Sequence, residues 1–202
     1  MPLWRADRPL VLASKSAVRH EILRDAGIPI EVHPADIDER AIEQQAATRD
    51  PGKIAALLAC TKARVIAAQL SGRLVLGADQ TLALGERRFS KPADLVAARE
   101  QLKALRGQTH ELHTAIALVR EGAILFEHRE VARLAMRAFS DDFLEAYLDA
   151  MGAAVTASVG GYQLEKAGIQ LFERIEGDHF VILGLPLLPL VRFLRGEGLL
   201  VT

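Results

Sequence analysis

The chain has 202 residues, half of them hydrophobic and a quarter charged, the composition of a globular protein with ample length for a core in one large or two small domains. Its net charge of −1 supplies no broad field for nucleic acid or an anionic membrane, so any anion site has to be local. A single cysteine, Cys60, excludes an intrachain disulfide and fits a reducing, cytoplasmic setting.

Neither the N-terminal Met1–Asp7 nor the short apolar run Leu10–Ala13 has the layout of a signal peptide or a membrane span. Pro9–Ser14 reads as a short buried strand. Ser14-Lys15-Ser16 then leads into a helix over residues 17–26, closed by Gly27. Arg19 shares the apolar face of that helix with Ile22, Leu23 and Ala26, by three- and four-residue spacing. A strand, a hydroxyl-rich turn and a helix N-terminus meet there. Free N–H groups and the helix dipole suit an anion, and Arg19 adds a guanidinium fork. Helix capping alone also accounts for the serines.

Ile30–Val32 reads as a second strand, followed by Asp36-Ile37-Asp38-Glu39. The oxygen-rich set suits a hard cation such as Mg²⁺ or Mn²⁺, or a solvated acidic turn. If the segment is extended, only part of it points inward. Asp50 and Pro51 open a long helix to Gln69. Ile54, Leu58 and Ile66 form an apolar seam that Lys62 interrupts. Either its stem lies along the core with the ammonium in water, or the ammonium turns inward to a carboxylate or phosphate. Cys60 lies off that seam among small residues and reads as structural.

Leu74-Val75-Leu76 reads as a buried strand that runs through Gly77-Ala78 to Asp79. Asp79 is expected where that strand ends, the place where α/β sheets bind ligands. A carboxylate on a buried strand needs a cation, a metal or a capping task. Thr81–Leu84 and Arg87–Phe89 then form a hairpin about Gly85-Glu86. Asp94 caps a helix to Arg106, and strands follow over residues 108–119 and 124–136 around a Glu121-Gly122 turn. Ser140 caps a helix to Met151, and Val159-Gly160-Gly161-Tyr162 is a glycine-rich loop. Strands are expected over 168–175 and 180–183, and a last helix over 187–194. The alternation predicts an α/β fold: a mixed, twisted sheet with helices on both faces.

Several familiar sites are missing. There is no G-x-x-x-x-G-K-[ST] and no strand-linked G-x-G-x-x-G. His110-Glu111-Leu112-His113 has the wrong spacing for a zincin, and on a strand its two histidines face opposite ways. No G-x-S-x-G elbow exists.

The chain resembles the Maf family of nucleoside triphosphate pyrophosphatases along nearly its whole length. The matching pieces are Leu12-Ala13-Ser14-x-Ser16-x-x-Arg19, Asp36-Ile37-Asp38-Glu39, Lys62-Ala63, Gly77-Ala78-Asp79-Gln80, Lys91-Pro92, Gly160-Gly161-Tyr162, Glu173-Arg174-Ile175-Glu176-Gly177 and Val181-Ile182-Leu183-Gly184-Leu185-Pro186. The resemblance implies one domain over residues 1–202, with two lobes around a central cleft, and often a homodimer. It implies cleavage of a nucleoside triphosphate, a house-cleaning substrate, between its α- and β-phosphates. It implies a divalent cation, Mg²⁺, Mn²⁺ or Co²⁺, held by Glu39 and Asp79. Asp79 would be the catalytic carboxylate, as general base or metal ligand, with Lys62 and Glu39 beside it. Arg19, Lys62 and Lys91 would hold the triphosphate, and Ser14 and Ser16 would sit against phosphate oxygens.

Three positions bear on the base. The dTTP- and UTP-preferring branch of the family carries a second Arg before Arg19, a Thr after the catalytic Asp and a Gln after the glycine-rich loop. Here those positions hold Val18, Gln80 and Glu165. Gln80 and Glu165 resemble the branch that prefers 7-methyl-GTP, whose positively charged ring suits a carboxylate on its N1–H and N2–H₂ edge. Val18 departs from the bulkier residue expected in that branch. The family also carries an association with cell division and the septum, so a nucleotide-binding partner protein stands as the alternative to an enzyme. Neither nucleic acid nor a membrane is expected as a partner.

Overall fold

A computed structural model describes residues 3–202; Met1 and Pro2 of the N-terminal stretch lie outside the described residues. The chain forms two compact units. The first comprises the described residues up to Gln80, Thr114–Glu130 and Asp178–Thr202, and the second Thr81–His113 and Val131–Gly177. The elements are β1 (Leu10–Leu12), α1 (Ala17–Asp25), β2 (Ile30–Val32), α2 (Glu39–Gln45), α3 (Pro51–Gln69), β3 (Val75–Leu84), β4 (Arg87–Phe89), α4 (Leu95–Leu105), β5 (Thr109–Arg120), β6 (Ala123–Met136), α5 (Asp141–Met151), β7 (Phe172–Glu176), α6 (His179–Ile182) and α7 (Leu187–Gly196). Three 3₁₀ turns lie between α5 and β7. The strands pair in the order β2-β1-β3-β5-β6-β7, with β4 on β3. The class is α/β with a mixed sheet.

In the first unit β1 pairs parallel with both β2 and β3, Val11 standing opposite Val75 and Leu12 opposite Leu76. The two-residue period of a strand divides the core. Leu10, Leu12, Leu76 and Ala78 pack with Ile22 and Leu23 of α1 and with Leu187, Leu190 and Leu194 of α7. Val11, Ala13 and Val75 pack on the other face with Ala63, Ile66 and Ala67 of α3. Helices therefore cover both faces, as the continuous apolar runs of β1 and early β3 demand. Three helix starts here have side-chain caps: Ser16 for α1, Asp38 for α2, and Asp50 with Pro51 for α3.

The second unit holds the β3–β4 hairpin, where Leu82 pairs with Phe89 and Leu84 with Arg87, and the antiparallel β6–β7 pair. Asp94 and Ser140 cap α4 and α5. His110 is fully buried, with its ring Nε2 2.7 Å from the Tyr162 hydroxyl and its ring tilted against Tyr162 and Phe172. His113 instead bonds Glu111, so the two histidines do face apart.

Four expectations are corrected. Asp79 does not end a strand: β3 continues to Leu84, because Thr81–Leu84 goes on pairing as the hairpin arm. The acidic run Asp36–Glu39, read as an extended segment or a solvated turn, instead opens a helix, since Asp38 accepts from Ala41 N and starts α2 at Glu39. Phe180–Leu183 is helix rather than strand, because the Asp178 carboxylate accepts from both Phe180 N and Val181 N and nucleates a turn. The strand expected over 168–175 is instead Phe172–Glu176, and Ala167–Leu171 coils as 3₁₀.

Candidate active site

The turn after β1 builds the first part of the site. Ser16 caps α1, its Oγ accepting from Arg19 N. Ser14 is buried, and its Oγ accepts from Ser16 N at 3.3 Å and from Arg19 Nη1 at 3.1 Å. Arg19, one turn into α1, is buried as its place on the apolar face requires. Its Nε donates to Gly184 O at 2.7 Å and its Nη1 to Ala78 O at 2.9 Å. Those bonds and the one to Ser14 use three of the five N–H donors of a guanidinium. The two on Nη2 are the ones left for a ligand. Burial pulls the Arg19 pKa down, while Asp79 and Glu39 oppose that pull. Gly184 takes a φ of +92°, and a Cβ there would meet the guanidinium at 3.2 Å.

The second part comes from α3 against β3. A Cβ on Gly77 would stand 2.0 Å from Ala59 O, so only glycine lets this helix lie so close to the strand. Along β3 residues 75, 77 and 79 share the α3 face. The approach at Gly77 therefore brings Lys62 over Asp79. Lys62 Nζ lies 2.6 Å from Asp79 Oδ1 and 2.7 Å from Glu39 Oε1. The lysine is 9% exposed, so its ammonium turns inward rather than out to water. Glu39 reaches it from the first turn of α2, and Asp38 is occupied as the cap. Asp36 is exposed, so one carboxylate of the acidic run joins the cluster. Burial raises the Asp79 pKa; Lys62 and then Arg19 pull it back toward the ionised form.

Ser14, Ser16, Arg19, Glu39, Lys62 and Asp79 thus form one connected cluster in the first unit. Gln80 lies next to it in sequence and turns to the opposite face of β3, where its amide bonds Thr114 and the backbone of α6. Val18 packs part-buried into the core around α1. Lys91 and Glu165 belong to the second unit, and both are exposed. Glu165 stands close enough to Tyr147 to raise its phenol pKa, after burial, the larger cause.

The sequence model for Maf-like proteins matches residues 9–197. This chain belongs to the Maf family. A nucleoside triphosphate pyrophosphatase of Nitrobacter hamburgensis is 55% identical over 99% of both chains. Another, from Rhodopseudomonas palustris strain HaA2, is 56% identical over the same shares. A 7-methyl-GTP pyrophosphatase of Rhizobium etli is 49% identical, over 94% of this chain and 96% of its own.

In this Maf protein Glu39 and Asp79 are two hard oxygen donors that converge on one cation, the Lys62 ammonium. A divalent ion of the Mg²⁺ type takes one or two carboxylates and completes its shell with water and substrate phosphates. The pair fits such an ion on its donor chemistry. Among the described residues no group of three or more His, Cys, Asp or Glu stands ready to hold one unaided. Among the described residues no helix is long and apolar enough to cross a membrane.

Sequence reasoning missed Thr114 and the carbonyls of Ala78 and Gly184. Backbone acceptors leave no trace in side-chain chemistry. Thr114 had a signal, a hydroxyl at the head of the apolar run Ala115–Val119, because a buried hydroxyl needs a partner.

Proposed function

We propose that this Maf protein hydrolyses 7-methyl-GTP between its α- and β-phosphates, releasing 7-methyl-GMP and pyrophosphate. The coarser activity, a nucleoside triphosphate pyrophosphatase, follows from the family and its relatives. One family match runs across both compact units, which supports a single Maf-like domain of two lobes.

The observation that carries the mechanism is the ammonium of Lys62 clasped by Asp79 and Glu39. Water attacks Pα, its proton passes to Asp79, and the bond from Pα to the bridging oxygen breaks as pyrophosphate leaves. Burial strengthens Asp79 as a base, and the Lys62 ammonium opposes that rise by favouring the carboxylate. Arg19, Lys62 and Lys91 oppose the charge growing on the leaving group. Ser14 and Ser16 offer their turn to the phosphate oxygens. A divalent cation (Mg²⁺, Mn²⁺ or Co²⁺) held by Glu39 and Asp79 would supply Lewis-acid polarisation of the triphosphate.

The base reading rests on Gln80 and Glu165, acceptors suited to the N1–H and N2–H₂ groups of guanine, and on the name of the Rhizobium relative. Val18 is the residue least like that branch. Pyrophosphate release should be measured with Mg²⁺ or Mn²⁺ across 7-methyl-GTP, GTP, dTTP, UTP and CTP, with Asp79→Asn as blank. The highest kcat/KM is expected for 7-methyl-GTP. Preference for dTTP or UTP would contradict the base reading and leave the pyrophosphatase standing.

A further inference from the structure

We infer that Thr114 is a specificity-positioning residue: together with the carbonyls of Val181 and Ile182 it fixes the side-chain amide of Gln80 so that only the amide oxygen can address the base. The inference rests on Gln80 reading the base, as proposed above.

Thr114 begins the part of β5 that belongs to the first unit and is 1% exposed. Its hydroxyl donates to Val181 O at 2.8 Å. A hydroxyl has one proton, so toward Gln80 its oxygen can only accept. Gln80 Nε2 lies 2.9 Å from that oxygen, 3.0 Å from Val181 O and 3.0 Å from Ile182 O. Two of these neighbours are carbonyls and the third has already used its proton. All three are acceptors, so the amide nitrogen must face them. The flipped amide would set its oxygen against three acceptors.

A glutamine is ordinarily ambivalent, able to donate or accept. Here both amide protons are used within the protein. The remaining capacity is acceptance, which demands an N–H on the base edge. N1–H of guanine supplies it, and the positive charge of a 7-methylated ring makes that N–H a stronger donor. N1 of adenine, an acceptor, does not. The α6 turn that supplies the two carbonyls runs on to Gly184, whose carbonyl holds Arg19. One short segment therefore orients both a base reader and a phosphate binder.

The test compares 7-methyl-GTP with 7-methyl-ATP, two charged purines that differ in their hydrogen-bonding edge. Wild type is expected to favour 7-methyl-GTP in kcat/KM by about a hundredfold or more, because the wrong base leaves polar groups of the site unpaired. Thr114→Val, of the same shape without the hydroxyl, should lower that ratio at least tenfold, mainly through KM. Thr114→Ser should keep it. A residue that merely stabilised the fold would lower kcat for both nucleotides alike and leave the ratio unchanged. A folded Thr114→Val with the wild-type ratio overturns the inference. Wild type without the preference overturns the base reading itself, and the inference with it. Should Thr114→Val not fold, Gln80→Glu decides the matter. A carboxylate cannot donate to the three acceptors, so kcat/KM for 7-methyl-GTP should fall tenfold or more. An unchanged or higher value would show that the amide nitrogen sets nothing.

Discussion

Lys62 Nζ stands 2.6 Å from Asp79 Oδ1, and the two side chains are 11% and 10% exposed. Breaking such a pair by removing one partner leaves a buried charge and costs about 3–5 kcal/mol. Lys62→Met strands Asp79, so it should lose stability in that range. Asp79→Asn leaves Lys62 still paired with Glu39, which is half exposed and can follow it. Urea unfolding of both variants should rank Lys62→Met as the less stable. The reverse order would contradict the pairing described here.

Gly77 tests the geometry that makes the pair. Its missing Cβ admits Ala59 O, a backbone atom that cannot step aside. Overpacking of this kind costs about 1–3 kcal/mol and moves the backbone. Gly77→Ala should lose stability by at least that much. It should also lose activity more steeply than stability, because α3 carries Lys62 away from Asp79. Thermal melts and kcat measured on the same preparation check both parts.

Much of this was legible in the sequence, and the exceptions have physical causes. Pro51 with Asp50, and a run from Lys53 to Gln69 with no glycine or proline, delimited α3. Lys62 in the apolar seam already posed the question that Asp79 and Glu39 answer. Arg19 on the buried face of α1 was visible in the same way. Strand type failed at Phe180–Leu183, where an apolar run of four fits strand and helix alike and the Asp178 cap decided. Asp79 was misplaced at a strand end because a lone polar residue looks like a terminus. It lies mid-strand because Lys62 satisfies it. Gln80 could be named from the family resemblance, but its orientation could not. Thr114 and α6, which set it, are 34 and about a hundred residues away.

Arg19 makes three bonds in three directions, to Gly184 O, Ala78 O and Ser14 Oγ. A lysine keeps the charge but not the planar fork. Arg19→Ala should lower kcat/KM by roughly 10³–10⁵, the range for a charge-stabilising arginine in phosphoryl transfer. Arg19→Lys should recover only part of it. Steady-state kinetics on one nucleotide with each variant checks this, and full activity in Arg19→Lys would deny the guanidinium its special place.

His110 gives the fold a pH dependence. Burial lowers its pKa to about 4, well below the usual value near 6.5. The unfolded chain therefore binds a proton between those values that the folded chain refuses. Above pH 6.5 the histidine has no effect. As pH falls toward 4 the native state loses up to about 3 kcal/mol from this residue. His110→Asn should remove that part of the acid destabilisation. Urea midpoints at pH 7 and pH 5 for wild type and variant measure it, and parallel losses in both would contradict it.

The measurement that tests the central claim most directly is hydrolysis in ¹⁸O-labelled water. Wild-type protein, a divalent cation and 7-methyl-GTP would be incubated, and the products read by mass spectrometry against an Asp79→Asn blank. Attack on Pα predicts one labelled oxygen in 7-methyl-GMP and none in the pyrophosphate. Label in the pyrophosphate, or release of nucleoside diphosphate and inorganic phosphate, would contradict the proposed chemistry.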